Sequence, residues 1–169
     1  MNTKLILGVD PQDCFMKPDG PLYVPQAEEL LDNMELIKVT ARQYSIKHIY
    51  TSDGHVPGDK ELAGTPDYKT SFPPHAMIEL GPDGKRIIGH SKGFCIDGQA
   101  AEWDYLINKG LYLTRAHYTQ KEFNDIVHKN RSFIIVKNVF NVFEGNPHAE
   151  RIFEELAPKV IFVYGVTTD

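Results

Sequence analysis

Four short β-branched and aliphatic runs constrain this chain most: Lys4 to Val9, His48 to Thr51, Ser132 to Val136 and Lys159 to Val166. Each has the length and composition of a buried strand. Helix-patterned stretches lie between them. From Pro25 to Ser45 the residues Ala27, Leu30, Leu31, Met34, Ile37, Ala41 and Tyr44 recur at helical spacing, with Pro25 suited to a first helical position. Strands alternating with helices predict βαβ units, a mostly parallel sheet and helices on both faces, hence an α/β protein with three α/β/α layers. In such sheets ligands bind beyond the carboxyl ends of the strands. Asp10, Asp53 and Lys137 all fall at such ends, so polar groups far apart in sequence are expected to share one crevice.

The remaining segments read less evenly. A loop rich in Gly, Pro and Asp runs from Gly54 to about Pro74, a length that is often functional. Gly81-Pro82-Asp83-Gly84 predicts a turn, and Lys85 to Ile88 a short edge strand. Helical patterns cover Gln99 to Asn108 and Thr119 to Lys129. Asn146 as N-cap and Pro147 as first residue predict a helix to Leu156. The 169 residues suit one domain with a full core, and 41% apolar against 24% charged residues describes an ordinary globular chain.

Several function classes recede on composition. A formal charge of −5 and the lack of a basic stripe argue against a nucleic-acid partner. No run approaches the roughly 20 apolar residues of a membrane helix. The amino terminus lacks a signal-peptide layout, so a cytoplasmic location is expected. Cys14 and Cys95 form neither a disulfide framework nor a Cys-x-x-Cys pattern, and both read as small buried thiols. Without Gly-x-Gly-x-x-Gly or a Walker-type run, nucleotide folds of those kinds are disfavoured.

The chemistry concentrates in a few residues. Asp53 and His55 are two apart on an extended segment, which puts both side chains on one face. His75 follows Pro73-Pro74, which fixes the backbone and aims the imidazole. Asp53, His55 and His75 are either three separate surface polar residues or a set of one carboxylate and two imidazoles, which suits a first-row divalent metal and leaves positions open for water and substrate. Glu61 or Asp67 offers a further ligand. Asp10 is either a turn aspartate or a general base. Lys137 is either an edge lysine reaching water or a cation beside Asp10 that stabilises a thiolate or alkoxide.

Taken together these residues resemble the nicotinamidase and isochorismatase-like cysteine hydrolase superfamily, nicotinamidase branch. Asp10-Pro-Gln12-Asp-Cys-Phe15 with Asp19-Gly20-Pro21-Leu22-Tyr-Val24-Pro25 is similar to its opening Asp-x-Gln-x-x-Phe and Gly-Gly-x-Leu-x-Val-x-Gly stretch. Asp53-Gly-His55 and Phe72-Pro-Pro-His75 resemble its metal motif, and Lys137-Asn-Val-Phe140-Asn-Val-Phe143 its lysine with spaced aromatics. Val163-Tyr-Gly165-Val166-Thr167-Thr168-Asp169 resembles the strand leading to its nucleophile. The likeness spans the chain, and its middle, from about Met77 to Asn130, matches least.

The resemblance implies an isochorismatase-like hydrolase fold and metal-assisted hydrolysis of nicotinamide, or a related small aromatic amide, to the acid and ammonia. Asp10 would take a thiol proton and Lys137 would stabilise the negative charge. Val166 and Thr167 would flank the oxyanion site at a cis peptide, and Phe15 and Phe140 would sandwich a flat ring. Asp53, His55 and His75 would hold the metal, zinc first, with iron or manganese as alternatives. The nucleophilic cysteine is expected two positions past Asp169, so the chain is expected to be truncated before the last strand and helices. Departures from the pattern are Gly54 where an aromatic is usual, Ala76 after the histidine, and Asn141-Val142 in place of small residues. A small amide substrate is the expected partner, and homo-oligomers are common in the family. Two other readings are a non-catalytic metal-binding relative and a metal-free isochorismatase-like hydrolase.

Overall fold

The structure, a computed structural model, describes residues 4–87 and 100–166. Its elements run β1 (Lys4–Val9), α1 (Asp13–Met16), a 3₁₀ turn (Ala27–Leu30), α2 (Leu31–Gln43), β2 (Lys47–Asp53), α3 (Ala100–Asn108) and β3 (Tyr112–Leu113). There follow α4 (Gln120–Val127), β4 (Ser132–Lys137), α5 (Val142–Gly145), α6 (Ala149–Leu156) and β5 (Val160–Gly165). The strands form one sheet in the order β3-β4-β2-β1-β5, with every described pair parallel.

Strand pleating sorts the β4 side chains into two cores. Phe133 and Ile135 pack with Leu5, Ile49, Phe123, Val127 and Ile152, which places α4 and α6 on that face. Ile134 and Val136 pack with Tyr50, Trp103, Leu106 and Ile107, which places α3 on the other. Arg42 of α2 meets Glu102 of α3 at 3.4 Å on this second side. A third cluster joins Cys14, Phe15 and Met16 of α1 to Met34 of α2 and to Ala76. β5 differs from the inner strands, because Val160 to Val163 on this edge are all exposed.

Four expectations change. The helix expected from Pro25 begins later, because Gln26 adopts a left-handed backbone (φ 69°) and only a 3₁₀ turn precedes Leu31. Among the described residues, Lys85 to Ile87 forms no strand and pairs through one Leu80–Ile87 bridge, and Ile88 lies outside them. The short strand β3 falls in the segment that carried no clear strand pattern. The last helix starts at Ala149, two residues past Pro147; Asn146 caps the turn before it, its Oδ1 accepting from His148 N at 2.9 Å, while its Nδ2 donates to Leu113 O (2.9 Å) and Val136 O (2.8 Å). Among the described residues, no helix is long and apolar enough to cross a membrane.

Candidate active site

β1, β2 and β4 lie side by side, and their carboxyl ends deliver Asp10, Asp53 and Lys137 to one spot. Asp53 and Lys137 are register partners. The Lys137 ammonium lies 2.9 Å from Asp10 Oδ2 and donates to Asp53 Oδ1. Asp10 leaves β1 in a left-handed conformation (φ 46°), which aspartate tolerates better than most residues. Thr51 steadies it: the hydroxyl donates to Asp10 Oδ1 at 2.6 Å. Gln12, fully buried, fixes the backbone of Asp53, donating from Nε2 to Asp53 O (3.0 Å) and accepting from Asp53 N (2.7 Å).

Two carboxylates thus share one buried ammonium. Burial opposes the charge on Lys137, but Asp10 and Asp53 outweigh it and hold the ammonium protonated well above its ordinary range. Burial also opposes the charge on Asp53, yet Lys137 and His75 hold its carboxyl below the usual range. Burial lifts Asp10 above that range against the pull of Lys137, with Asp53 adding to the rise. The pair is therefore split in basicity, with Asp10 the member better able to accept a proton.

His55 and His75 complete a cluster with Asp53, their ligating atoms all within 4.8 Å of one another. His75 Nδ1 is 2.8 Å from Pro73 O, which leaves Nε2 to face Asp53 Oδ2 at 3.4 Å. His55 is fully buried, neither ring nitrogen has a hydrogen-bond partner, and burial pulls its pKa down to about 4. A buried neutral imidazole with bare nitrogens beside a carboxylate and a second imidazole fits a divalent metal. Glu61 joins this wall, with Oε2 3.9 Å from His55 Nε2 and Oε1 accepting from Phe140 N at 2.9 Å. Asp67 does not: it is spent on its own turn, where Oδ1 accepts from the backbone of Lys69, Thr70 and Ser71.

A cavity of about 180 Å³ opens beside the cluster. Phe15, Leu22, Val24, Phe72 and Phe140 make it apolar, and Asp53, Glu61 and His75 form its polar wall. A cavity of about 150 Å³ holds benzene, so this one admits a single aromatic ring. Phe15 is buried, and Phe140, 62% exposed, stands at the rim. A larger cavity, about 380 Å³, lies among Arg42, Glu102 and Arg131, where no acid–lysine pair or ligand set converges.

Asp10, Phe15, Asp53, His55, His75, Lys137 and Phe140 thus gather in one region. Cys14 is buried, and burial followed by the charges of Asp53 and Asp10 pushes its thiol far above the ordinary range, so it stays protonated. Val166 is described and packs against the α1 cluster, whereas Thr167 and Cys95 lie outside the described residues. Thr51 and Asp59 join the site without being singled out in the sequence, and Phe72, known there only as part of the Phe72-Pro-Pro-His75 motif, lines the cavity. Thr51 carried one signal, its place two residues before Asp53 on the same strand face. Gly54, where the resemblance leads one to expect an aromatic, has no room for one: a Cβ there would lie 2.4 Å from Val136 Cγ1.

No family model and no curated protein matches the sequence. Solved structures do. The pyrazinamidase/nicotinamidase of Streptococcus mutans superposes with a TM-score of 0.62 at 20% identity, over 96% of this chain and 71% of that one. Its fold is that of the nicotinamidases and isochorismatase-like hydrolases. The pyrazinamidase of Pyrococcus horikoshii, solved in complex with zinc, gives 0.60 at 15% identity over 97% and 70%. An isochorismatase-like hydrolase of Alkaliphilus metalliredigens gives 0.60 at 16% identity over 96% and 66%. The isochorismatase-like three-layer architecture expected from the sequence is therefore present.

Proposed function

We propose that this protein hydrolyses nicotinamide, or a related small aromatic amide, to the acid and ammonia through a cysteine thioester. The observation that carries the reading is the buried Asp10–Lys137–Asp53 group set beside the Asp53–His55–His75 cluster, against a cavity of one-ring size. Asp10 receives the thiol proton, and the thiolate attacks the amide carbonyl. The proton returns to the leaving nitrogen, ammonia departs, and water then cleaves the thioester to acid and thiol. Lys137 keeps Asp10 placed and balances the charge that develops on sulfur. Phe15 and Phe140 flank the flat ring.

Asp53, His55 and His75, with Glu61 beside them, are the residues that would hold a metal, zinc for preference. When bound, the ion would offer a coordination point for a ring nitrogen and so orient the amide. Cys14 is unsuited to the attack. The reading requires a nucleophilic thiol other than Cys14, and Val9 pairs with Gly165, so the carboxyl end of β5 lies beside that of β1, next to Asp10. Backbone N–H groups around Val166 and Thr167 are the proposed oxyanion donors. The test is ammonia release from nicotinamide by the full-length protein, assayed before and after chelation. Release that falls on chelation and returns with zinc supports the reading, and a zinc-loaded protein that leaves nicotinamide intact refutes it.

A further inference from the structure

The ring of His55 has two ends, and they face different acids. Nε2 is directed toward Glu61 Oε2, on the cavity wall. Nδ1 lies 3.5 Å from Asp59 Oδ2, away from that wall. Asp59 has a mostly buried side chain and is anchored by three parts of the chain. Its Oδ2 accepts from Val56 N at 2.9 Å. Its Oδ1 accepts from Asn138 Nδ2 at 3.0 Å, one residue past Lys137, and from Arg115 Nη2 at 3.4 Å. A carboxylate held this firmly beside an imidazole nitrogen without a hydrogen-bond partner selects the tautomer with the proton on Nδ1, which leaves Nε2 as the lone-pair ligand.

We propose that Asp59 is a positioning residue for the metal centre: it takes the Nδ1–H of His55, fixes the ring and raises the basicity of Nε2 toward a divalent cation. The assignment rests on the metal reading above and extends it to a residue outside the ligand set. Carboxylates in this relation to ligating histidines typically change metal affinity about 10- to 100-fold. Arg115 and Asn138 then tune the centre at one remove, because they hold the Asp59 carboxylate in line.

Zinc affinity, measured by competition with a chromophoric chelator on the purified metal-free protein, is the test. Asp59→Ala is expected to weaken zinc binding about 10- to 100-fold, and Asp59→Asn, which retains an acceptor oxygen without the charge, by less. Imidazole nitrogen NMR of zinc-loaded wild type is expected to show His55 protonated on Nδ1, with that signal lost or shifted in Asp59→Ala. A merely structural aspartate would lower the melting temperature without moving the tautomer. If wild type binds zinc and Asp59→Ala binds within twofold of it, the proposal fails while the metal reading stands. If neither wild type nor variant binds zinc, both fail. Arg115→Ala, which leaves His55 and its neighbours intact, is expected to weaken zinc severalfold; an Asp59→Ala loss that comes only with unfolding, paired with an unchanged Arg115→Ala, also overturns the proposal.

Discussion

Lys137 is placed as much by what is missing next to it as by its acids. A Cβ on Gly145 would lie 2.9 Å from Lys137 Cβ and 3.2 Å from Asn138 N, so the end of α5 can press against the end of β4 only as glycine. Gly145→Ala should displace Lys137 from between its carboxylates. The expected cost is about 1–3 kcal/mol in urea unfolding, with a larger proportional loss of ammonia release than of zinc binding. Residues of this kind were hidden in the sequence. Asp10 and Lys137 stood out because each closes an apolar run, and Asp53, His55 and His75 because a carboxylate and two imidazoles form a ligand set. Gly145 and Asp59 carry no such mark, and Thr51 only its place on the strand face of Asp53, because their roles come from neighbours that only the folded chain supplies.

At the scale of elements, legibility followed the length and regularity of the pattern. β1, β2 and β4 were plain in the sequence because each is a short run of mostly apolar or β-branched residues, and α4 showed a helical pattern within a segment that otherwise read unevenly. β3, two residues long and paired among the described residues with β4 alone, has too little pattern to read. The last helix was misplaced for a different reason. Asn146 does cap, its Oδ1 accepting from His148 N at 2.9 Å, but its Nδ2 also ties Leu113 and Val136 together near the site, and the regular helix begins only at Ala149. α4 shows local chemistry and final structure in agreement: Thr119 accepts from Glu122 N, and Glu122 accepts from Thr119 N at 2.7 Å. Thr119→Ala should cost about 1 kcal/mol of stability, read from the urea midpoint, and leave ammonia release unchanged, since this cap faces away from the cavity.

The whole molecule buries a second polar network behind the site. His48 Nε2 lies 2.9 Å from Tyr164 OH on β5, its Nδ1 3.2 Å from Tyr50 OH, and Tyr50 donates to Glu102 on α3 at 3.0 Å. Burial, then the charges of Lys38 and Arg42, pull the pKa of His48 down to about 3. The unfolded imidazole titrates near about 6.5. Between those values the unfolded chain binds the extra proton, so the contribution of His48 is complete above the unfolded value and drains away as pH falls toward the folded one. Comparing wild type with His48→Gln isolates this group from the opposing acids. Their stability difference should shrink by about 2–3 kcal/mol between pH 7.5 and 4.5, whereas a difference constant with pH would show that His48 is not held neutral.

The central claim is that a parallel sheet brings an acid–lysine pair and a metal cluster together for one reaction. Its most direct test is Lys137→Ala in the full-length protein, with ammonia release from nicotinamide and bound zinc measured on the same sample. The expected result is turnover reduced by about 10²- to 10³-fold, the scale lost when one charge-stabilising donor is removed, with zinc retained. Undiminished turnover in a zinc-loaded Lys137→Ala protein would contradict it.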